Sequence, residues 1–118
     1  NPYAGSDGDI ITAAAQNLGL GPVVGERSWG GVIGIDGRFE LVDGTSVTQP
    51  RYAFAFHRHG FGVENHGTDP DIEVPLEPSD WENGEDLQLD VAVDEALARL
   101  EEKPAMTPPE LPPAAFLG

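Results

Sequence analysis

Gly5-Ser6-Asp7-Gly8-Asp9-Ile10-Ile11-Thr12-Ala13-Ala14-Ala15-Gln16-Asn17-Leu18-Gly19 decides how the rest of the chain is read. From Asp9 to Leu18 the pattern predicts a helix, because Ile10, Ile11, Ala14 and Leu18 fall on one helical face and Gly19 is a natural C-terminal stop. Ser6, Asp7 and Asp9 then gather at the helix N-terminus, where backbone N–H groups lack partners and the helix dipole is positive. That setting suits a capping oxygen and equally suits a developing oxyanion. Two readings of Ser6 therefore stand side by side. As an N-cap flanked by carboxylates, it stabilises the helix by about 1 kcal/mol. As a nucleophile, it sits on a turn where the N–H of the next residue can point at a substrate oxyanion, with Gly5 and Gly8 leaving room for close approach.

Beyond Gly21, Pro22-Val23-Val24-Gly25 predicts a short strand and Trp29-Gly30-Gly31 a loop. Short strands are expected at Val32–Ile35, Phe39–Val42 and Ser46–Gln49, separated by Asp36-Gly37 and Asp43-Gly44. Asp-Gly pairs favour the positive φ of tight hairpin turns, so a three-stranded meander is expected here. Tyr52–His57 alternates large and small residues and is the strongest single strand candidate, whereas Gly60–Pro78 has no sustained period and is expected to be a structured loop. Leu89, Val93, Ala96, Leu97 and Leu100 form an apolar stripe on a second helix from about Asp86 to Lys103. Glu85 and Asp86 favour its start, Lys103 its end, and Pro104 stops it. Five prolines between Pro104 and Pro113 predict an extended tail, and its Pro-Pro-Glu-Leu-Pro-Pro run has the composition of a linker or a polyproline ligand. The expected organisation is one α/β unit over residues 1–103, with short strands and two main helices, succeeded by a proline-rich tail over 104–118.

The 118 residues suffice for one ordinary domain, and the balance of 39% hydrophobic and 23% charged residues is that of a globular chain rich in turns. Net charge is −15, and 14 of the 21 acidic residues lie between Glu64 and Glu102. Such a field disfavours nucleic acid and anionic membranes as partners; it is either a solvated face that keeps the chain soluble or an attractor for cationic peptides. With no cysteine, disulfides and thiolate metal sites are impossible. No apolar stretch approaches the roughly 18 residues that would span a bilayer, and no basic region precedes an apolar run, so a soluble cytoplasmic protein is expected. Because the chain opens at Asn1 without an initiator methionine, it is expected to be processed or to be a piece of something longer.

A serine nucleophile needs a base within hydrogen-bond reach, and the histidines are His57, His59 and His66. His57 and His59 would share one face of a strand, which also permits a metal reading with Glu64 or His66, though without any characteristic ligand spacing. Ordinary surface histidines, a base and a metal site all stay open on spacing alone. Glu64 by itself reads as one more solvated carboxylate in an acidic loop.

Whole segments carry more information than single residues. Asn1–Asp9 (Asn-Pro-Tyr-Ala-Gly-Ser-Asp-Gly-Asp), Leu18-Gly-Leu-Gly21, Gly25–Ile35 (Gly-Glu-Arg-Ser-Trp-Gly-Gly-Val-Ile-Gly-Ile), Leu41–Thr45 with Gln49-Pro50, and Gly62–Asp71 (Gly-Val-Glu-Asn-His-Gly-Thr-Asp-Pro-Asp) closely resemble, in that order, the catalytic core of tricorn-type serine peptidases. The resemblance spans residues 1 to about 102 and corresponds to the C-terminal part of that core. It implies membership of the tail-specific and C-terminal processing peptidases, with an α/β sandwich resembling the ClpP and crotonase arrangement. It implies that Ser6 is the nucleophile and that the backbone N–H of Asp7 is one oxyanion donor. It further implies that the Asp7 side chain selects basic P1 residues and that Glu64 helps to orient the catalytic histidine through an intervening serine. That histidine, its neighbouring serine and the second oxyanion donor come, in tricorn-like enzymes, from the half preceding this segment, so His57, His59 and His66 inherit no role.

The resemblance thus implies a serine endopeptidase segment that hydrolyses short peptides after basic residues through an acyl-enzyme on Ser6. It is expected to be inactive alone for want of its base, to need no cofactor or metal, and to have as partners peptide substrates, the missing N-terminal half and further copies in a hexameric parent. The alternative is a non-enzymatic binding or assembly module that keeps the peptidase fold.

Overall fold

A computed structural model describes residues 1–110. In chain order the elements are α1 (Asp7–Leu18), β1 (Val24–Gly25), β2 (Gly34–Glu40), β3 (Ser46–Tyr52), β4 (Ile72–Glu73), α2 (Pro78–Asn83) and α3 (Leu87–Glu102). β1 pairs in parallel with β4, and β2 pairs with β3 as an antiparallel hairpin. Helix and strand are mixed as expected. Among the described residues the strands form two separate two-stranded sheets, not one continuous sheet.

Both long helices lie where the periodicity places them, but α1 buries a different face from the one expected and α3 buries none. α1 buries Asp9, Ala13 and Gln16, while Ile11 and Leu18 of the predicted apolar face are exposed. The buried face is polar because its polar groups find partners. The Asp9 carboxylate accepts the N–H groups of Gly30 and Gly31, and the Gln16 amide donates to the Asp69 carbonyl and to Asp71 Oδ2. A buried carboxylate bonded in this way is tolerated in a core, whereas Gln16 is satisfied only at its NH₂ and its Oε1 has no partner among the described residues. Around them Ala13, Val32 and Val63 form the apolar centre, with Ile10 and Phe56 packed against it.

The expected three-stranded meander is a hairpin. Asp43-Gly44 does turn the chain: Gly44 has φ 82°, its N–H donates to the Leu41 carbonyl at 2.9 Å, and the Leu41 N–H donates to the Thr45 carbonyl at 2.9 Å. Asp36-Gly37 does not. Gly37 lacks the positive φ that a tight hairpin turn demands, and the pair instead lies inside β2 at a register shift. Asp36 stabilises this irregularity by accepting the Arg38 N–H and pairing with Arg38 and Arg51. The segment Tyr52–His57 is not a strand of its own either: Tyr52 ends β3, and beyond it only Phe56 makes an isolated bridge, to Gly60. Alternation of side chains gives no strand where no neighbouring backbone supplies the ladder.

Within the expected loop after Gly60, Ile72 and Glu73 pair with β1, and beyond them lies a short helix that the periodicity misses. α2 carries strong local signals: Pro78 at its start, a Glu77–Asp80 capping box and Gly84 in the left-handed conformation at its end. α3 is capped by Asp86, whose carboxylate accepts the Leu89 N–H at 3.0 Å. Its stripe of Leu89, Val93, Leu97 and Leu100 is regular, yet each of these residues is exposed and no residue of the helix is buried. Residues 104–110 have no regular structure, and the rest of the expected tail, 111–118, lies outside the described residues. Among the described residues no helix is long and apolar enough to cross a membrane.

The dimensions fit this uncovered surface. The chain exposes 9256 Å², against about 6,200 Å² for a compact monomer of its mass. Its radius of gyration is 21.0 Å, where compact packing of this length gives about 13–14 Å.

Candidate active site

Ser6 precedes α1 with φ 51° and ψ −106°, and its side chain makes no capping hydrogen bond. Both facts bear on the choice left open by the sequence. A capping serine has extended backbone angles and accepts an N–H of the first turn; Ser6 does neither. Its backbone lies in a region that non-glycine residues rarely occupy, at a cost on the order of 1–3 kcal/mol, and such residues gather at functional sites.

Neighbouring backbone holds this conformation. The Ser6 N–H donates to the Gly31 carbonyl at 3.1 Å, and the Ser6 carbonyl accepts the Ile10 N–H at 2.9 Å. Asn65, the other non-glycine residue with positive φ among the described residues, donates its N–H to the Gly30 carbonyl at 2.7 Å. Gly30 itself has φ 94°, and a Cβ there would lie 2.5 Å from the Gly67 nitrogen and 2.7 Å from the His66 backbone. Only glycine lets the 29–31 and 65–67 segments cross so closely.

Glu64 stands on the turn after the Phe56–Gly60 bridge, half-buried. Its Oε2 accepts the N–H groups of Val32 at 2.7 Å and Ile33 at 2.9 Å. Ser6, Gly31 and Glu64 line one open cleft of about 350 Å³, walled by Trp29, Ile33 and Ile35. The structure thus brings Ser6 and Glu64 to the same cleft. Asp7 is exposed in the first turn of α1 and is not among the residues lining that cleft; its N–H has no acceptor among the described residues. A larger cleft of about 480 Å³ lies between the first residues and α2, lined by Tyr3, Glu26, Leu76 and Trp81, and it holds no nucleophile.

The histidines lie elsewhere. His66 pairs with Asp69 at 2.7 Å and offers its carbonyl to Arg27, His59 packs edge-on against Phe56, and His57 is exposed. Among the described residues none hydrogen-bonds to the Ser6 side chain, and no group of three or more His, Asp or Glu side chains is placed to hold a metal ion. Asp71 ties the scaffold together: its carboxylate accepts the Val23 N–H, the Gln16 amide and the Arg58 guanidinium. The Val23 hydrogen bond, aided by Gln16 and Arg58 and opposed by burial, holds the Asp71 carboxyl below the usual carboxylate range.

Sequence pattern does not single out Asp9. Spacing groups it with the helix-terminus carboxylates, yet it is fully buried and grips Gly30 and Gly31. Its place in the first turn, within the run of polar residues before Ile10, is a signal of a kind, but helical spacing alone does not tell an outward carboxylate from an inward one.

A strained serine at a helix N-terminus thus lines an open cleft, and the next residue's N–H has no acceptor among the described residues. Residues 1–74 match peptidase family S41, and the chain belongs to that family. It is 63% identical over 112 residues to tricorn protease homolog 1 of Streptomyces coelicolor, covering 95% of this chain and 10% of that protein. It is 51% identical over 100 residues to the tricorn protease of Thermoplasma acidophilum, covering 85% of this chain and 9% of that protein. A tricorn protease homolog of Saccharolobus solfataricus is 49% identical over 100 residues, with 85% and 9% covered. A crystal structure of the tricorn protease superposes with a TM-score of 0.78 at 50% identity, covering 86% of this chain and 10% of that one. The chain therefore spans about a tenth of the length of the curated relatives it matches.

Proposed function

We propose that this chain carries the nucleophile and part of the oxyanion site of a tricorn-type serine peptidase. The observation that carries the reading is the backbone of Ser6, held outside the capping conformation with its side chain uncommitted at the mouth of a cleft. In the reaction the Ser6 hydroxyl oxygen attacks the peptide carbonyl as its proton passes to a histidine base. The oxyanion takes the free Asp7 N–H, the amine leaves with the proton, and water releases the acyl group from Ser6 by the reverse sequence. The base and the second oxyanion donor come from outside residues 1–118, a reading supported by the placement of the three histidines, none of which bonds to the Ser6 side chain. The isolated chain is accordingly inactive.

The uncovered surface fits the same reading. The exposed stripe of α3 and the exposed Ile11 and Leu18 of α1 pack against the preceding half of the enzyme or other copies of it, completing an α/β sandwich of the ClpP and crotonase type over residues 1–103, with 104–118 as a tail. Cleavage after basic residues and a hexameric parent rest on the family resemblance. Asp7 as the selecting carboxylate rests on it too, since Asp7 is apart from the cleft lining.

Ser6→Ala in the full-length protein tests the reading. Peptide hydrolysis is expected to fall to background with folding intact. The competing reading, a binding module without chemistry, is favoured by the lack of a base near Ser6 among the described residues, and it predicts full function in the Ser6→Ala protein.

A further inference from the structure

Four consecutive N–H groups, from Gly30 to Ile33, are all accepted by two carboxylates. Asp9 takes Gly30 on Oδ1 at 2.8 Å and Gly31 on Oδ2 at 3.1 Å, while Glu64 takes Val32 and Ile33 on one oxygen. The carbonyls of the first two residues serve other partners: Gly31 accepts the Ser6 N–H and Gly30 accepts the Asn65 N–H. Gly30-Gly31 is therefore held from one side by Asp9, and it holds from the other the described non-glycine residues with positive φ.

Asp9 is 0% exposed and belongs to the same helix whose start is Ser6. A fully buried carboxylate is costly unless its hydrogen bonds are made, and here both oxygens are bonded to the loop. Thr68 adds a bond from its hydroxyl to the Asp9 carbonyl at 3.3 Å. The result is a closed ring of contacts, from Ser6 along α1 to Asp9, across to Gly31, and back to the Ser6 N–H.

We propose that Asp9 is a positioning residue for the nucleophile: its carboxylate fixes Gly30-Gly31 so that the Gly31 carbonyl keeps Ser6 in its strained conformation with the Asp7 N–H free. This rests on the reading of Ser6 as a nucleophile. Asp9 touches neither substrate nor reacting atoms, and it acts on the acylation step, not on substrate affinity. Replacing it with Asn puts an amide NH₂ against one of the two glycine N–H groups and frees the loop on that side.

The test uses the full-length enzyme. A fluorophosphonate probe measures the acylation rate of Ser6, and a peptide substrate gives kcat and KM, for wild type, Asp9→Asn and Gln16→Ala. Gln16 is buried on the same face of α1 but bonds to Asp69 and Asp71, so its loss loosens the helix without touching the loop. Asp9→Asn is expected to lower the labelling rate and kcat at least tenfold with KM within twofold of wild type, while Gln16→Ala keeps both within threefold despite a lower thermal midpoint. Equal losses in the two variants, or an unchanged labelling rate in Asp9→Asn, overturn the positioning role. Absence of labelling on Ser6 in wild type overturns the nucleophile reading and this inference with it. Should Asp9→Asn give no soluble enzyme, Asp9→Glu, which keeps the charge but displaces it by one methylene, is judged by the same criteria.

Discussion

Truncating Glu64 to Ala removes one carboxylate oxygen that holds two backbone N–H groups beside Ser6. Val32 is 1% exposed, so its N–H is left without a partner and bears the full desolvation penalty, about 1–3 kcal/mol. Ile33 is half-buried and recovers part of its loss from water. The pair together amounts to about 2–5 kcal/mol of local stability. Glu64→Gln keeps an oxygen in place but loses its charge. Because charge-assisted hydrogen bonds are roughly twice as strong as neutral ones, about half the effect, about 1–2.5 kcal/mol, is expected. Hydrogen–deuterium exchange of the peptide covering residues 29–36 in the full-length protein reads this directly. The Ala variant should accelerate exchange about 25- to 4,000-fold and the Gln variant about 5- to 60-fold, at about 1.4 kcal/mol per tenfold. Exchange within twofold of wild type in Glu64→Ala would refute the clamp, and equal rates in the two variants would refute the contribution of its charge.

Gly30→Ala should destabilise the site region by about 2–5 kcal/mol, since it combines a left-handed backbone angle with a Cβ 2.5 Å from the Gly67 nitrogen. Gly37→Ala, where a Cβ meets nothing and φ is not positive, should be neutral or stabilising by up to about 1 kcal/mol; the contrast is read by the same exchange measurement over the two segments. Leu97→Ala should cost about 2–5 kcal/mol in the thermal or urea unfolding of the full-length protein if α3 is covered there, although Leu97 is 55% exposed in this chain; a change under about 0.5 kcal/mol would mean the stripe faces solvent. Asp71 has its carboxyl held low by the Val23 N–H first of all, so the native state binds fewer protons than the unfolded chain as pH falls through the ordinary carboxylate range. Its contribution is complete above about pH 4 and is lost below it, and Asp71→Asn should flatten the acid limb of a stability-against-pH curve without changing its shape near neutrality.

Much of this is legible from residue pattern. Both long helices, the Asp43-Gly44 turn and the pairing segment at Val24–Gly25 follow from period, cap and turn chemistry, which are local properties. The departures have a common cause in contacts that are not local. Asp36-Gly37 has the composition of a turn, but salt bridges from Arg38 and Arg51 hold it inside a strand. Ile11 and Leu18 have the period of a core face, yet the face that is buried here is the one whose Asp9 and Gln16 meet donors and acceptors 21 to 55 residues away. At the candidate site, the position of Ser6 before a helix is readable, while its departure from the capping conformation is not. That depends on Gly31, whose carbonyl reaches back across the chain. Asp9 shows the same limit, since nothing in its spacing says which way it points.

Ser6 as an acylated nucleophile is the central claim, and covalent labelling addresses it most directly. The full-length protein and the isolated 118-residue chain are treated with a fluorophosphonate and digested, and the adduct is located by mass spectrometry. An adduct is expected on Ser6 in the full-length protein and none in its Ser6→Ala variant, with labelling of the isolated chain lower by orders of magnitude. An intact full-length protein that stays unlabelled at Ser6, or a label on a different residue that survives Ser6→Ala, would contradict that claim.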